Sequence, residues 1–524
     1  MPKGLRVQWL LAISAGAVVG ACLDRVAAPE APRGVGSLPI QEENRRPGSP
    51  SWDAEFWRNA DTAISGYGLP ASLVAGDTLH LFVSATRAPL IISVYRLGWY
   101  GGVGARLVAR HVDRRVAVQA ACSPPLPEAS VCNWSETDRF TVDPHWLPGV
   151  YLARFADSLG RARGFPFVVR STRPASLVVV LPFATYQAYN AWGGTSLYRG
   201  PGATAQEARA NRAVKVSFAR PLGEYVVRDI FLGIDYLLIR WLEETGYDVA
   251  YLTDYDYHLG RGPDPQVAWL FAGHSEYWSW PMWLRATAAR DQGISLGFLG
   301  GNDIYWLIRY ETVSVNRMDA PVVVCYRDAA RDPLGATPGL ATVLFRAPPN
   351  NTPENALVGV MGARGLIMRD PPVDLVVVDG SDPLMSGTGL QTGDHIPRVA
   401  GWEADRIVDN GATPAEIRVL FRSPYVPMGD SVVTAVQFQE ATVYTWRPSG
   451  AVVFAGGQPA FARGLATYRE HSARPPLQRF LQNVLLAFVA AHTRPPAQGL
   501  IGSPPSSFNA PPDSGSGTPL QIEQ

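Results

Sequence analysis

The stretch that most constrains the fold is LVVVLPF, at residues 177–183. Unbroken apolar residues read as a strand buried on both faces, because a strand with one wet face would alternate. Downstream, IDYLLIRWLEETG places Ile234, Leu237, Leu238, Trp241 and Leu242 on one helical face and stops at Gly246, the residue that best tolerates a left-handed helix end. YDVAYLTD, VAWLFAGHSEYW, a helix near PMWLRATAARDQG and ISLGFLGGNDIYW continue the pattern. Strands alternating with helices predict a mostly parallel sheet covered by helices. DLVVVDG and ATVYTWRPSGAVVFAGG then return to strands, read as β insertions. A closing helix, PLQRFLQNVLLAF, has the apolar face Leu477, Phe480, Leu481, Val484 and Leu485.

Ahead of that run, residues 51–170 hold short alternating segments with turns between them: TLHLFVSA, LIISVYRLGWYGG, GVYLARFAD and GFPFVVR. They predict a small β-sandwich. The first 22 residues, MPKGLRVQWLLAISAGAVVGAC, carry Lys3 and Arg6 before an apolar run and small residues, the layout of a secretory signal. Their ending, VGAC, resembles the lipobox of bacterial lipoproteins, in which the cysteine is lipidated; here that is Cys22. Ordinary cleavage nearby and an uncleaved anchor are the alternatives. The expected location is the bacterial cell envelope, with the membrane reached through the lipid. Residues 23–50 are expected to be a flexible tether. The Pro-, Ser- and Gly-rich residues 493–524 are expected to be a disordered tail.

With 46 basic and 46 acidic residues the net charge is zero, so nothing points to nucleic acid as a partner. Cys122 and Cys132 flank a Pro-rich loop that an exported chain can close with a disulfide, and Cys325 reads as a buried free thiol. No Cys-x-x-Cys or Cys/His metal spacing occurs, which argues against a thiolate zinc site.

Ligands of open parallel sheets sit beyond the carboxyl ends of the strands. The polar and aromatic residues at those ends are Tyr186, Tyr189 and Tyr198 of TYQAYNAWGGTSLY, Asp254 and Asp256, GHSEYW at residues 273–278, and GGND at residues 300–303. A nucleophile elbow on Ser275 would need glycine where Tyr277 stands, and His274, its neighbour in sequence, is a poor base for it. The glutamine-amidotransferase version of that elbow would need a cysteine. Two readings of the tyrosines remain. They pack and hydrogen-bond in the core, or, as phenolates beside a carboxylate, they are hard donors suited to ferric iron.

YRLGWYGGVGAR, TYQAYNAWGGTSLY, GHSEYWS and FLGGNDIYWLIRYE, in that order, resemble the family of the N,N-dimethylformamidase large (beta) subunit, over about residues 52–492. The resemblance implies a mononuclear iron held by two tyrosines and a glutamate, and hydrolysis of a small amide. By motif these ligands are Tyr189 (with Tyr186 as the alternative), Tyr198 and Glu276. His274 is expected to exchange protons or orient Glu276, and Asn302 to donate to the oxyanion. NAWGGTS joins the two tyrosines directly, where the amidase has a longer insertion, which implies a different pocket. The resemblance also implies a small second subunit; a homo-oligomer is the alternative. The expected fold class is α/β: an N-terminal immunoglobulin-like β-sandwich, residues 51–172, then a mostly parallel, glutamine-amidotransferase-like α/β domain with β insertions, residues 173–492. The competing expectation is a non-catalytic, surface-anchored protein that binds a sugar or peptide in an aromatic pocket.

Overall fold

A computed structural model describes residues 39–54, 63–113, 115–122, 130–425 and 437–493. The signal segment with Cys22 and nearly all of the expected tail lie outside the described residues. Among the described residues no helix is long and apolar enough to cross a membrane.

The apolar run forms the strand Ala175–Leu181 inside a nine-stranded sheet. Leu177, Val179 and Leu181 pack into one core while Val178 and Val180 pack into another. Both faces are dry, which is why the sequence does not alternate. Five strands are parallel, in the order Val249–Thr253, Ala175–Leu181, Pro265–Phe271, Ser295–Phe298 and Val452–Ala455. The antiparallel strands Gln437–Thr445, Arg418–Tyr425, Met361–Val377 and His395–Arg406 extend the sheet, which is therefore mixed rather than mostly parallel. The strand first in sequence, Ala175–Leu181, lies between the second and the third. Chain order therefore reverses beside it, and loops leaving neighbouring strand ends in opposite directions open a crevice there.

One core contains Tyr236–Thr245, which ends at Gly246 (φ 74°), and Pro475–His492; the other takes Met282, Trp283 and Ala286 of Trp280–Asp291. The predicted face of the closing helix is buried throughout. Upstream of Tyr236 the chain runs as a π-helix, Val226–Asp235, which the sequence pattern did not announce. A separate four-stranded sheet, Lys215–Ser217, Met318–Val324, Trp306–Val315 and Tyr277–Ser279, delivers Cys325 and Arg327 at the end of its second strand. Cys325 is a buried free thiol, as read from the sequence.

The N-terminal β region has a three-stranded sheet (Ile64–Leu69, Thr78–Ala85, Asp138–Thr141) and a five-stranded one (Ser72–Leu73, Ala162–Val169, Gly149–Ala156, Leu90–Leu97, Ala105–Asp113). Ile64–Leu69 is buried end to end, with Gly66 against the Phe155 ring and Gly68 against Phe165 of the other sheet. Cys122 and Cys132 are joined by a disulfide.

The expected tether over residues 23–50 needs correction at its end. Pro39–Asn44 is a helix with Ile40, Glu43 and Asn44 buried. Asn44 donates to Glu243 at 2.7 Å and Glu43 accepts from the Tyr100 hydroxyl at 2.8 Å. Tertiary partners hold this single turn and a half, so no local pattern marks it.

Candidate functional site

The stretch after Leu181 is a short helix, Phe183–Tyr189, at the crevice beside the central strand. Its two tyrosines part company. The Tyr186 hydroxyl donates to Asp235 Oδ2 at 2.5 Å inside the core, so Tyr186 is not with the candidate ligands. Tyr189, half-buried, faces the crevice.

The second wall is GHSE, which follows the strand Pro265–Phe271. Gly273 has φ 51°, and a Cβ there would stand 2.0 Å from Asp235 Oδ1; a Cβ on Gly300 would stand 1.4 Å from the Gly273 carbonyl oxygen. Only glycines let these two turns touch. Their contact lets His274 Nδ1 donate to the Gly301 carbonyl at 2.7 Å, which turns Nε2 toward the crevice. The 300–305 loop then grips the other turn: Ile304 N–H donates to Ser275 O at 3.0 Å and Tyr305 N–H to Glu276 O at 3.0 Å. Asn302 (φ 51°) and Ile304 (φ 60°) are in left-handed conformations, costly for a β-branched residue and tolerated where the surroundings enforce them.

Four of the expected residues meet in this crevice. Tyr198 Oη lies 2.8 and 2.9 Å from the two Glu276 carboxylate oxygens and 3.0 Å from Tyr189 Oη. Tyr189 Oη is 3.1 Å from His274 Nε2, and His274 Nε2 is 3.3 Å from Glu276 Oε2. Ser275 is turned away, its Oγ accepting from Trp278 Nε1 at 2.9 Å. Asn302 does not join them. Its N–H donates to Asp405 at 2.8 Å and its side-chain oxygen lies against Gly362. Asp254 and Asp256 are structural: Asp254 accepts from Ala184 N–H at 2.7 Å, and Asp256 caps its helix and pairs with Arg170.

Three further residues complete the site. Glu403 accepts from the Tyr189 hydroxyl at 3.2 Å and stands 3.5 Å from His274 Nε2. It follows Trp402, whose φ of 76° marks a β-bulge that re-aims the strand. Tyr277 Oη is 2.6 Å from Tyr198 Oη, and Arg327 donates to Tyr277 while its guanidinium covers the Tyr198 ring at 3.9 Å. The sequence offered no signal for Glu403 or Arg327, which arrive from distant segments. Tyr277 lies within GHSEYW, one of the strand-end candidate segments, although the sequence assigns it no role of its own.

Burial, then the Glu276 carboxylate, pushes the Tyr189 and Tyr198 phenols well above their ordinary range. Burial pulls His274 down, but Glu276 and Glu403 outweigh it and hold the imidazole well above its ordinary value. Burial raises Glu276, yet His274 and Arg327 prevail and keep it ionised. No group of three or more His, Cys, Asp or Glu residues suited to a metal occurs among the described residues. The donors gathered here are instead two phenols and a carboxylate. Their fit to a hard trivalent ion is good on two counts. Deprotonated, they carry three negative charges. Tyr198 Oη stands 2.8–3.0 Å from the other donors, the separation of neighbouring ligands bound at about 2 Å.

Such a crevice at a chain-order reversal makes this an α/β protein with a candidate site built from phenols, carboxylates and one imidazole. The chain belongs to the N,N-dimethylformamidase beta subunit-like, C-terminal family, whose profile matches residues 91–474. No curated protein matches the chain. Among solved structures, one titled macromomycin is similar at 10% identity and a TM-score of 0.11, over 20% of this chain and 99% of that one.

Proposed function

We propose that this protein is an exported, iron-dependent amidohydrolase of small amides, built as an immunoglobulin-like sandwich before a glutamine-amidotransferase-like α/β domain. The carrying observation is the cluster of Tyr189, Tyr198 and Glu276 oxygens around Tyr198 Oη. Family membership supports hydrolysis of an amide bond and association with a small second subunit. The VGAC motif supports lipid anchoring at Cys22, so Cys22→Ser should release the protein from membranes.

Tyr189, Tyr198 and Glu276 would hold the ferric ion, which when bound supplies Lewis acidity toward the amide carbonyl and toward water. The chain's own groups do the rest. Glu403, 19% exposed at its side chain and beside Tyr189, is the carboxylate placed to accept the proton of an attacking water. Water oxygen adds to the carbonyl carbon, the carbon–nitrogen bond breaks, and the amine leaves with a proton. His274, charged and fixed through Nδ1, is the donor for that proton. Arg327, over the Tyr198 ring, favours the phenolate form of Tyr198. The test is amine release from simple amides by iron-loaded protein. Glu403→Gln should lower kcat at least 100-fold and leave metal content unchanged. Wild-type protein with full iron but no amidase activity on any small amide would overturn the reading.

A further inference from the structure

The protein has a cavity of about 650 Å³, a size suited to a small organic ligand. Trp402, which precedes Glu403, and Tyr225, which lies within electrostatic reach of His274 and Glu403, form part of its wall. Glu403 is the exposed side of the charged cluster, at 19% against 3% for Glu276 and 5% for His274.

The cavity wall is rich in arginine. Arg398, Arg463 and Arg474 line it. Arg463 stacks on the Trp402 ring at 4.6 Å, and Arg474 donates through Nε to Pro397 O at 3.3 Å, which leaves its terminal nitrogens for a ligand. Arg228 also lines it, but is bound to both Asp229 and Glu224. The opposing charges on the wall are Asp229, paired with Arg228, and Glu470, 3.5 Å from His471. Burial and then Arg463 hold His471 down at about 4, so it is neutral at pH 7 and adds no charge of its own. The wall thus carries four guanidiniums and two carboxylates, Asp229 and Glu470.

We infer that this cavity receives a carboxylate carried by the substrate, so that the amides taken are acidic ones of the N-acyl amino acid class. The carboxylate is held by Arg398 and Arg474, with Arg463 beside Trp402, while the amide end lies toward Glu403 and the tyrosines. The inference rests on the proposed amidohydrolase reading for the orientation of the substrate, and on the cavity alone for the anion site.

Titration calorimetry of the full chain separates the two. The probes are N-acetylglycine and its neutral counterpart N-acetylglycinamide. N-acetylglycine should bind at least tenfold more tightly, and the preference should shrink as salt is raised. Arg398→Ala and Arg474→Gln should each weaken N-acetylglycine about tenfold while leaving N-acetylglycinamide unchanged. Arg398 is exposed, so its variant should fold normally. Equal affinity for the two probes, or unchanged N-acetylglycine affinity in both variants, overturns the inference. Preferential binding without hydrolysis by iron-loaded protein upholds the anion site and sinks the amidase reading. Hydrolysis of a neutral amide with no preference for the acidic probe does the reverse.

Discussion

Two buried charged clusters, about equally polar, differ in how their charges close. At the seam between the β region and the parallel sheet, Arg96 and Glu243 are fully buried and joined by two N–H···O bonds of 2.9 and 3.0 Å. Glu43 accepts from Arg106 Nε at 2.7 Å, and Asn44 fills the remaining side of Glu243. Every carboxylate there faces a guanidinium, and the cluster satisfies itself. In the crevice, three phenol oxygens and two carboxylates crowd one another, and Tyr198 Oη has three oxygen-bearing side chains within 3.0 Å. Its two carboxylates, Glu276 and Glu403, are met by His274 and by the phenols rather than by a paired guanidinium, with Arg327 over the Tyr198 ring. The seam is a structural tie, whereas the crevice gathers the phenol and carboxylate oxygens that the proposed iron would use. The same motif that carried part of the family resemblance, YRLGWYGGVGAR, therefore supplies the seam through Arg96 and Tyr100 and contributes nothing to the crevice.

Removing one partner should separate the clusters most clearly. Arg96→Ala leaves Glu243 charged and buried, and should cost about 3–5 kcal/mol of unfolding free energy by chemical denaturation. Metal content per folded molecule should not change. A loss below about 1 kcal/mol would break the contrast.

A smaller effect comes from the footing of the tyrosine helix. Burial pushes the Asp254 carboxyl up to about 8, and its Oδ2 accepts the Ala184 N–H. A folded value above the unfolded one means the neutral form is favoured. Its contribution is complete below about pH 4 and is lost as pH rises toward 8. Asp254→Asn keeps an acceptor and should flatten the decline in stability from pH 5 to pH 8 by about 2–3 kcal/mol, since local opening relieves part of the burial.

Tyr186→Phe sharpens the assignment of the two helix tyrosines. It leaves Asp235 without its donor and should cost about 1–3 kcal/mol, with metal content intact. Least costly to the fold should be Glu276→Gln, because His274 keeps Glu403 nearby. We expect about 1 kcal/mol or less in stability, together with loss of the metal. If Glu276→Gln proved as destabilising as Arg96→Ala, the crevice would be a second structural tie.

The sheet was legible because burial of both faces imposes an unbroken apolar run, and the closing helix because its face repeats at helical spacing. Tyr189, Tyr198, His274 and Glu276 could be picked out as candidates because they lie in segments that follow apolar strands, where polar groups abruptly appear. Glu403 was not, since it lies 214 positions from its partner Tyr189 and is aimed by a bulge that no local pattern encodes. Arg327 and the helix Pro39–Asn44 escaped for the same reason: their partners, not their neighbours in sequence, decide where they lie. Asn302 lies in the loop whose Ile304 and Tyr305 grip the neighbouring turn, but its own N–H is held by Asp405.

The central claim is that the crowded oxygens hold a ferric ion, and one absorbance measurement tests it. Protein purified without chelator and assayed for metal should contain about one iron per chain. It should also show a visible phenolate-to-iron charge-transfer band, absent in Tyr198→Phe and intact in Tyr186→Phe. A wild type that binds no iron after reconstitution, or binds it stoichiometrically without colour, would contradict the account.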